Sequence, residues 1–343
     1  MKAFVQGHLT GHGPVIPLLA LVSVSALIFL VASRLSRHAD TIADETGLGG
    51  LWIGSVLLAG STSLPEVLTD VNAAMLGAPD IGVGDLFGAN LANMMILAVM
   101  DLVFARRRVL DHVSEEHTLF GLLGILLTVM AGIGIIVPGW GRIGHVGLET
   151  IMIAAVYVGG VRSLYRFTKR PHPFRLVPAS GPGRTQLWGA TVGFALGTTG
   201  LLVLTPLLVL SAEGVSLETG VSTTFVGTLL VGLTTTLPEL GTTISAIRLG
   251  AFNLAIGNLF GSVIFNMVVL LFMDVAYSRG PVLAYVDRDH VLTALFVVTC
   301  VTLSMVAILS PARWRTRRVG VENALIVGTY ILGLWVLYSL GRP

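Results

Sequence analysis

The sequence GSTSLPEVLTD at Gly60–Asp70 returns as LTTTLPELGTT at Leu233–Thr243, 173 positions further along the chain. The same shift, without a gap, places GVGDLFGANLANMMIL at 82–97 on AIGNLFGSVIFNMVVL at 255–270. Each copy contains a Pro-Glu pair in an apolar stretch, and an asparagine follows each glutamate after 27 residues. The duplicated pattern predicts a chain built from two related halves that hold their repeated motifs face to face.

The composition indicates an integral membrane protein. The 343 residues are 54% hydrophobic and only 12% charged, and the mean hydropathy is +0.85. A soluble domain has roughly 25% charged residues. The one cysteine, Cys300, excludes an internal disulfide and a cysteine-based metal site. We expect the lipid bilayer as a partner, and no nucleic acid.

Ten stretches are apolar and long enough to be transmembrane helices, which need about 20 mostly apolar residues. They are 14–33, 48–76, 80–103, 117–137, 146–164, 187–210, 219–246, 252–275, 290–309 and 322–340. The expected fold class is therefore all-α integral membrane with ten transmembrane helices. The first stretch is longer than the apolar region of a signal peptide, so we expect it to be retained as a helix.

The basic residues divide unequally between the two sides of such a ten-helix layout. Loops on one side contain 16 of the 21 lysine and arginine residues, and those on the other side contain 5. By the positive-inside rule the richer side is cytoplasmic, so both termini are expected outside and the central basic loop inside. The small loops and the absence of a transit segment are typical of a prokaryotic inner (plasma) membrane protein.

Five helices precede the basic loop and five follow it, so the second half enters the membrane with the opposite orientation. We therefore predict two inverted five-helix repeats, residues 1–164 and 187–343, joined by a basic cytoplasmic linker at 165–186. Inverted repeats are a known transporter architecture in which the binding site lies near the bilayer midplane.

Glu66 and Glu239 are informative because each places a carboxyl group inside an apolar span. A charged residue at the centre of a transmembrane helix costs about 2.5–3.5 kcal/mol on the translocon scale and is a functional candidate by default. The proline before each glutamate lacks an N–H and frees the carbonyl four residues earlier. In lipid such a carbonyl must face protein or a water-filled cavity, so the motif predicts a broken helix beside a buried acid.

Asn93 and Asn266 lie on the helix that follows each glutamate, after tight turns that predict antiparallel helix pairs. Small residues allow helices to approach closely in membranes, and four glycines have this predicted role: Gly84, Gly88, Gly257 and Gly261. Carboxylates, amide oxygens, freed carbonyls and hydroxyls make an all-oxygen set, which favours hard cations. Calcium takes 6–8 oxygen ligands at about 2.3–2.6 Å.

The TSLPE and TTLPE motifs, each followed by a segment like G-x-x-G-S-N-I-F-N, resemble the alpha repeats of the sodium/calcium exchanger (cation/calcium antiporter) superfamily. The resemblance covers essentially the whole chain. It implies secondary antiport of Ca²⁺ against Na⁺ by alternating access, with no organic cofactor and no enzymatic activity. The cation ligands that it implies are Glu66, Glu239, Asn93, Asn266, Thr62, Ser63, Thr235, Thr236 and Ser262.

Three residues depart from the pattern of that superfamily. Ala89 stands where serine is usual, so we expect one flanking sodium site to lack an oxygen. Asp70 and Asp85 stand where uncharged side chains are common, and the second repeat has Thr243 and Asn258 there. We expect both aspartates near the external ends of their helices, where they form an acidic outer vestibule that concentrates cations. Ordinary interfacial acids are the alternative.

Asp101 and Asp274 also match under the shift, and each precedes arginine at a helix end, which favours terminal ion pairs. The histidines fall in loops or at the ends of spans, and we expect none of them to sense protons.

The departures leave the coupling ion open, so an H⁺-coupled divalent cation antiporter of the same fold is the first alternative. A passive cation channel is an alternative from another class, although inverted repeats with broken helices argue against it. An intramembrane hydrolase would need a nucleophile beside a base, and the spans show no such pair.

Overall fold

A computed structural model of the chain describes residues 9–11, 13–45, 62–104, 109–167, 184–309 and 321–340. Several predicted features lie outside these residues. They are the first part of the second span, the arginines at 106–108 and most of the central linker.

The described residues are mainly helical. Their helices are α1 (Val15–Glu45), α2 (Leu64–Leu76), α3 (Pro79–Val103), α4 (His117–Ile136), α5 (Leu148–Phe167), α6 (Arg184–Thr219), α7 (Thr223–Thr235), α8 (Leu237–Arg248), α9 (Phe252–Ala276), α10 (Asp289–Leu309) and α11 (Val321–Leu340). Short 3₁₀ turns lie at Val109–His112 and Val282–Tyr285, and an antiparallel pair of strands, β1 (Arg142–Ile143) and β2 (Val146–Gly147), joins α4 to α5.

Seven of these helices are long and apolar enough to cross a membrane, so the expected helical membrane protein is confirmed. The structure differs from the prediction at α1 and α6, which are longer than the stretches at 14–33 and 187–210. At 1.5 Å per residue they are about 46 and 54 Å long, against a hydrocarbon core of about 30 Å. They pack along each other around Ile28, Leu35 and Leu208, and this mutual contact supports the additional turns.

The helix bounds extend the 173-residue shift well beyond the repeated motifs. The shift places α3 on α9 and α5 on α11 with identical ends, and α4 on α10 to within one residue. The third, fourth and fifth helices of the two halves, all of which the structure describes, therefore follow one another in the same order and with the same lengths to within one residue.

The two central helices, α3 and α9, pack against each other, and most of their residues are buried. Phe87 and Phe260, which are equivalent under the shift, are the largest fully buried side chains. Because both helices are apolar on nearly every side, they are enclosed by the other helices of the bundle instead of facing lipid.

Glycines allow α3 to pack directly on the backbone of α7. A Cβ atom added at Gly84 would lie 3.0 Å from the Cα of Gly227, and one added at Gly88 would overlap the carbonyl oxygen of Thr228. The predicted role of Gly84 and Gly88 in close helix approach is confirmed. Gly257 on α9 instead faces a side chain, since its Cβ position is 3.2 Å from Cε1 of His117.

Asp274 is a buried acceptor of hydrogen bonds, and its predicted ion pair with Arg279 is wrong. Its Oδ1 accepts from the Val282 N–H at 2.6 Å, and its Oδ2 accepts from the Gly147 N–H at 2.8 Å and the Thr150 hydroxyl at 2.6 Å. These donors come from β2, from the first turn of α5 and from the 3₁₀ turn at Val282–Tyr285, so the carboxylate is satisfied without a cation.

Asp101 makes the equivalent contacts in the other half, with the Leu110 N–H at 3.2 Å and the Asn323 Nδ2 at 2.6 Å. Asn323 is the equivalent of Thr150 under the shift. Each aspartate therefore connects the third helix of its own half to the fifth helix of the other half.

His290 and His117 are also equivalent, and each lies in the first turn of its helix. His290 is fully buried, and its Nε2 lies 3.2 Å from Oδ1 of Asp80. His117 hydrogen bonds with Asn253, which is the equivalent of Asp80. The position at the end of a span is as predicted, but the two contacts differ chemically, because only one of the partners carries a carboxyl group.

We expect Gly88→Ala to lower the thermal unfolding midpoint of the purified protein in detergent, because the added methyl group forces α3 away from the Thr228 backbone. Overpacking typically costs about 1–3 kcal/mol. Gly159→Ala is the matched control, since a Cβ atom at Gly159 on α5 would meet nothing within 4 Å. Equal midpoints for the two variants would contradict the close helix approach.

We expect Asp274→Ala to lower the same midpoint, because two N–H groups and one hydroxyl lose their acceptor. Each buried donor left without a partner costs about 1–3 kcal/mol. Asp287→Ala removes an exposed acid of the same region and is expected to have a much smaller effect. A similar loss in both variants would show that the Asp274 contacts do not stabilise the bundle.

Candidate cation site

The helical path is interrupted beside Glu239. α7 ends at Thr235 and α8 begins at Leu237, so Thr236 separates the two helices directly before Pro238. Within α7, Gly227–Val231 form a π-helical segment, a rare conformation that is frequent at functional sites. The predicted break at Pro238 is confirmed.

Glu66 and Glu239 occupy the same place in their helices. α2 begins at Leu64 and α8 at Leu237, each with its proline next and its glutamate in the first turn. The N-terminus of a helix carries a partial positive charge that stabilises a carboxylate, while the last carbonyls at the other end are partially negative. The end of α7 and the start of α8 therefore bring groups of both polarities to the break.

Hydroxyl groups from both halves surround Glu239. Its Oε1 accepts from the Ser63 hydroxyl at 3.2 Å and lies 3.5 Å from the Ser262 hydroxyl, and the two serine oxygens are 3.3 Å apart. Thr62 also hydrogen bonds with this carboxyl group. All four side chains are buried, so four of the predicted ligands meet at the contact between the halves.

Glu66 is fully buried, and neither of its carboxyl oxygens has a hydrogen-bond partner among the described residues. It interacts electrostatically with Glu239 and Asp85, which places it near both. An ionised carboxylate in an apolar interior is costly unless it is paired. A cation bound between Glu66 and Glu239 would supply this missing charge.

Asp70 and Asp85 are fully buried, so the prediction that they line an open outer vestibule is wrong for this conformation. Their carboxyl groups interact electrostatically with each other, and Oδ1 of Asp85 accepts from the Thr235 hydroxyl at 2.7 Å. A position near the end of a helix predicts exposure of these aspartates, but α7 covers this part of α3. Close packing at Gly84 and Gly88 removes the aspartates from the surface.

The asparagines are buried near the contact of α3 with α9. Nδ2 of Asn266 donates to Oδ1 of Asn90 at 3.0 Å, and Nδ2 of Asn90 donates to the Val263 carbonyl at 3.3 Å. This leaves Oδ1 of Asn266 without a donor, and neither polar atom of Asn93 has a partner in the described part of the chain.

Asn90 orients Asn266, and the sequence analysis did not single it out as a site residue. Asn90 contacts Val263, which is its own equivalent under the shift of 173 residues. Residues that lie opposite each other at an axis between two repeats have this relation, and it is the one sequence feature that could have pointed to Asn90.

The hydroxyl of Thr236 donates to the Gly232 carbonyl of its own segment at 2.6 Å, whereas the hydroxyl of Thr235 also reaches Asp85 of the other half. In the described residues no three Asp, Glu, His or Cys side chains converge as a metal cluster. The oxygens near Glu239 come largely from neutral hydroxyl groups, a donor set that binds a cation less tightly than a cage of carboxylates.

The sodium/calcium exchanger protein family matches residues 16–161 and 189–340, and the second match begins 173 positions after the first. The chain belongs to this family. The two matched segments correspond to the two halves, so the expected superfamily is confirmed, and the chain is a membrane protein of the exchanger family.

Individual proteins agree with this assignment. The inner membrane protein YrbG of Escherichia coli (strain K12) is 27% identical, and the alignment covers 94% of this chain and 97% of YrbG. The structure of native YfkE aligns with a TM-score of 0.68 at 15% identity over 97% of this chain and 99% of YfkE. The H⁺/Ca²⁺ exchanger CAX aligns with a TM-score of 0.63 at 17% identity over 95% and 88%. At such identities the two structures show a shared fold.

We expect Ser262→Ala to weaken ⁴⁵Ca²⁺ binding to the purified protein by roughly 2–10-fold, the equivalent of one neutral hydrogen bond or ligand. Ser304→Ala is the matched control, because Ser304 is equally buried but donates within its own helix. Unchanged Ca²⁺ affinity in Ser262→Ala would exclude this hydroxyl from the cation site.

Proposed function

We propose that the protein is a secondary active antiporter that exchanges Ca²⁺ for Na⁺ by alternating access, with Ca²⁺ bound between Glu66 and Glu239. The observation that carries the proposal is a pair of fully buried glutamates, one from each half, with no cation among the described residues to compensate them. Two carboxylates neutralise one divalent ion, and Ca²⁺ prefers oxygen ligands in a flexible arrangement.

The proposed ligands around this ion are neutral oxygens from both halves. Ser63, Thr62 and Ser262 already contact Glu239, and the amide oxygens of Asn93 and Asn266 are free of donors. Thr235 and Thr236 lie at the helix break. Because the break divides α7 from α8, a small rotation of one half against the other would change which side of the membrane reaches the glutamates.

We further propose ten transmembrane helices in two inverted repeats, residues 1–164 and 187–343, with a cytoplasmic linker at 165–186 and both termini outside. The equivalence of helix bounds between the halves and the uneven loop charge support this layout. The membrane proposed is a prokaryotic inner membrane, in keeping with the description of YrbG as an inner membrane protein.

Sodium is the proposed counter-ion because hydroxyl and carbonyl oxygens at the break suit a monovalent ion once Ca²⁺ has left. A proton is the second candidate, and two observations favour it. Ala89 contributes no oxygen, and the H⁺/Ca²⁺ exchanger CAX shares the fold. A passive cation channel differs from both in that its flux needs no counter-ion.

The test is ⁴⁵Ca²⁺ uptake into proteoliposomes loaded with Na⁺, compared with Na⁺-free vesicles with and without a pH gradient. We expect uptake that requires internal Na⁺, and we expect Glu66→Gln and Glu239→Gln to reduce it to background because each leaves one charge for a divalent ion. Glu149→Gln is the matched control, since Glu149 is a buried glutamate of α5 remote in sequence from the motifs.

The outcomes separate the candidates. Uptake driven only by the pH gradient would replace Na⁺ by H⁺ and retain the two glutamates. A ⁴⁵Ca²⁺ flux that needs no counter-ion and does not saturate with rising Ca²⁺ concentration would indicate a channel. Full activity in both glutamine variants would overturn the proposed site.

A further inference from the structure

Two carboxyl groups beside the Glu66–Glu239 pair have no role in the exchange cycle described above. Asp70 on α2 and Asp85 on α3 are fully buried and interact with each other. The helices are close at this point, because a Cβ atom at Gly82, three residues before Asp85, would lie 3.3 Å from the Asp70 Cα. Both oxygens of Asp70 and Oδ2 of Asp85 lack any hydrogen-bond donor in the described structure. The Thr235 hydroxyl, at the end of α7, donates to the remaining oxygen of Asp85 at 2.7 Å. Three elements, from both halves, therefore converge on this point.

The charge of the region exceeds what one divalent ion can neutralise. Glu66, Glu239, Asp70 and Asp85 carry four negative charges when ionised, and no described lysine or arginine forms an ion pair with any of them. One Ca²⁺ at the glutamates supplies two positive charges. Since uncompensated buried charges are strongly unfavourable, the aspartate pair needs a partner of its own.

We propose that Asp70, Asp85 and Thr235 form a second divalent-cation position next to the Glu66–Glu239 position, an inference that rests on the function proposed above. Two carboxylates match a charge of +2. The Thr235 hydroxyl keeps acceptor lone pairs after donating to Asp85, and it supplies a third oxygen. Asp70 follows Glu66 by one turn of α2, and Thr235, which donates to Asp85, precedes Glu239 by four residues, so the two positions are neighbours.

The equivalent place in the second half has no charge to attract a cation. Thr243 and Asn258 replace the two aspartates, and Nδ2 of Asn258 donates to the Thr242 hydroxyl at 3.0 Å. The second position therefore exists on one side of the glutamates only, which is the external side in the proposed orientation. Two cations in adjacent positions repel each other, so occupation of the outer one would promote release from the inner one.

The experiment measures ⁴⁵Ca²⁺ bound per molecule of the purified full chain by equilibrium dialysis at saturating Ca²⁺. We expect two ions for the wild type and one for the double variant Asp70→Thr/Asp85→Asn, which places the residue types of the second half in the first. Asp80→Asn is the matched control, because Asp80 is another acid of α3 whose equivalent, Asn253, is also neutral. It is expected to retain two ions.

The wild-type count tests the proposal even if the double variant does not fold. One bound ion in the wild type overturns the second position, and so do two ions that persist in the double variant. Release of protons on Ca²⁺ addition, with only one ion bound, also overturns it and assigns the aspartates to a proton. A wild type that binds no Ca²⁺ at all refutes the proposed function itself, which is a different result.

Discussion

Two buried carboxyl groups with few hydrogen-bond donors, Glu66 and Glu239, govern the arrangement of the helices around them. Glu66 and Glu239 lie inside an apolar bundle, where a lone carboxylate is tolerated only if something compensates it. The serine hydroxyls satisfy Glu239 in part, and Glu66 has no hydrogen-bond partner among the described residues. A cation bound between the two glutamates, as proposed above, would supply this compensation.

Holding such a region in lipid requires a rigid frame around an irregular backbone. Non-helical segments at membrane depth are stable only where protein covers them, and here Thr236 at the break is buried, with 1% of its surface exposed. Glycines bring these helices into backbone contact, while Asp101 and Asp274 each connect a central helix to the opposite half. The halves are thus joined at these helix ends as well as at the site itself, where Ser63 of one half donates to Glu239 of the other.

The differences between the halves are as informative as their likeness. Under the 173-residue shift, Asp70 and Asp85 of the first half correspond to Thr243 and Asn258 of the second half, and Asp80 corresponds to Asn253. All three substitutions place the acid in the first half. Identical repeats would carry the same charges, whereas this chain carries all three of these acids in its first half.

Several features could be predicted without the structure: the two related halves, the helical membrane fold and the break at Pro238. So could Glu66, Glu239, Ser63 and Ser262, which the structure brings together. These follow from periodicity, composition and a repeated motif, all of which are local properties of the chain. The partners of Asp274, the pairing of Asn90 with Asn266 and the burial of Asp70 and Asp85 were decided only by the tertiary structure. They depend on contacts between helices far apart in sequence, above all on how closely α7 approaches α3, and no local pattern encodes that distance.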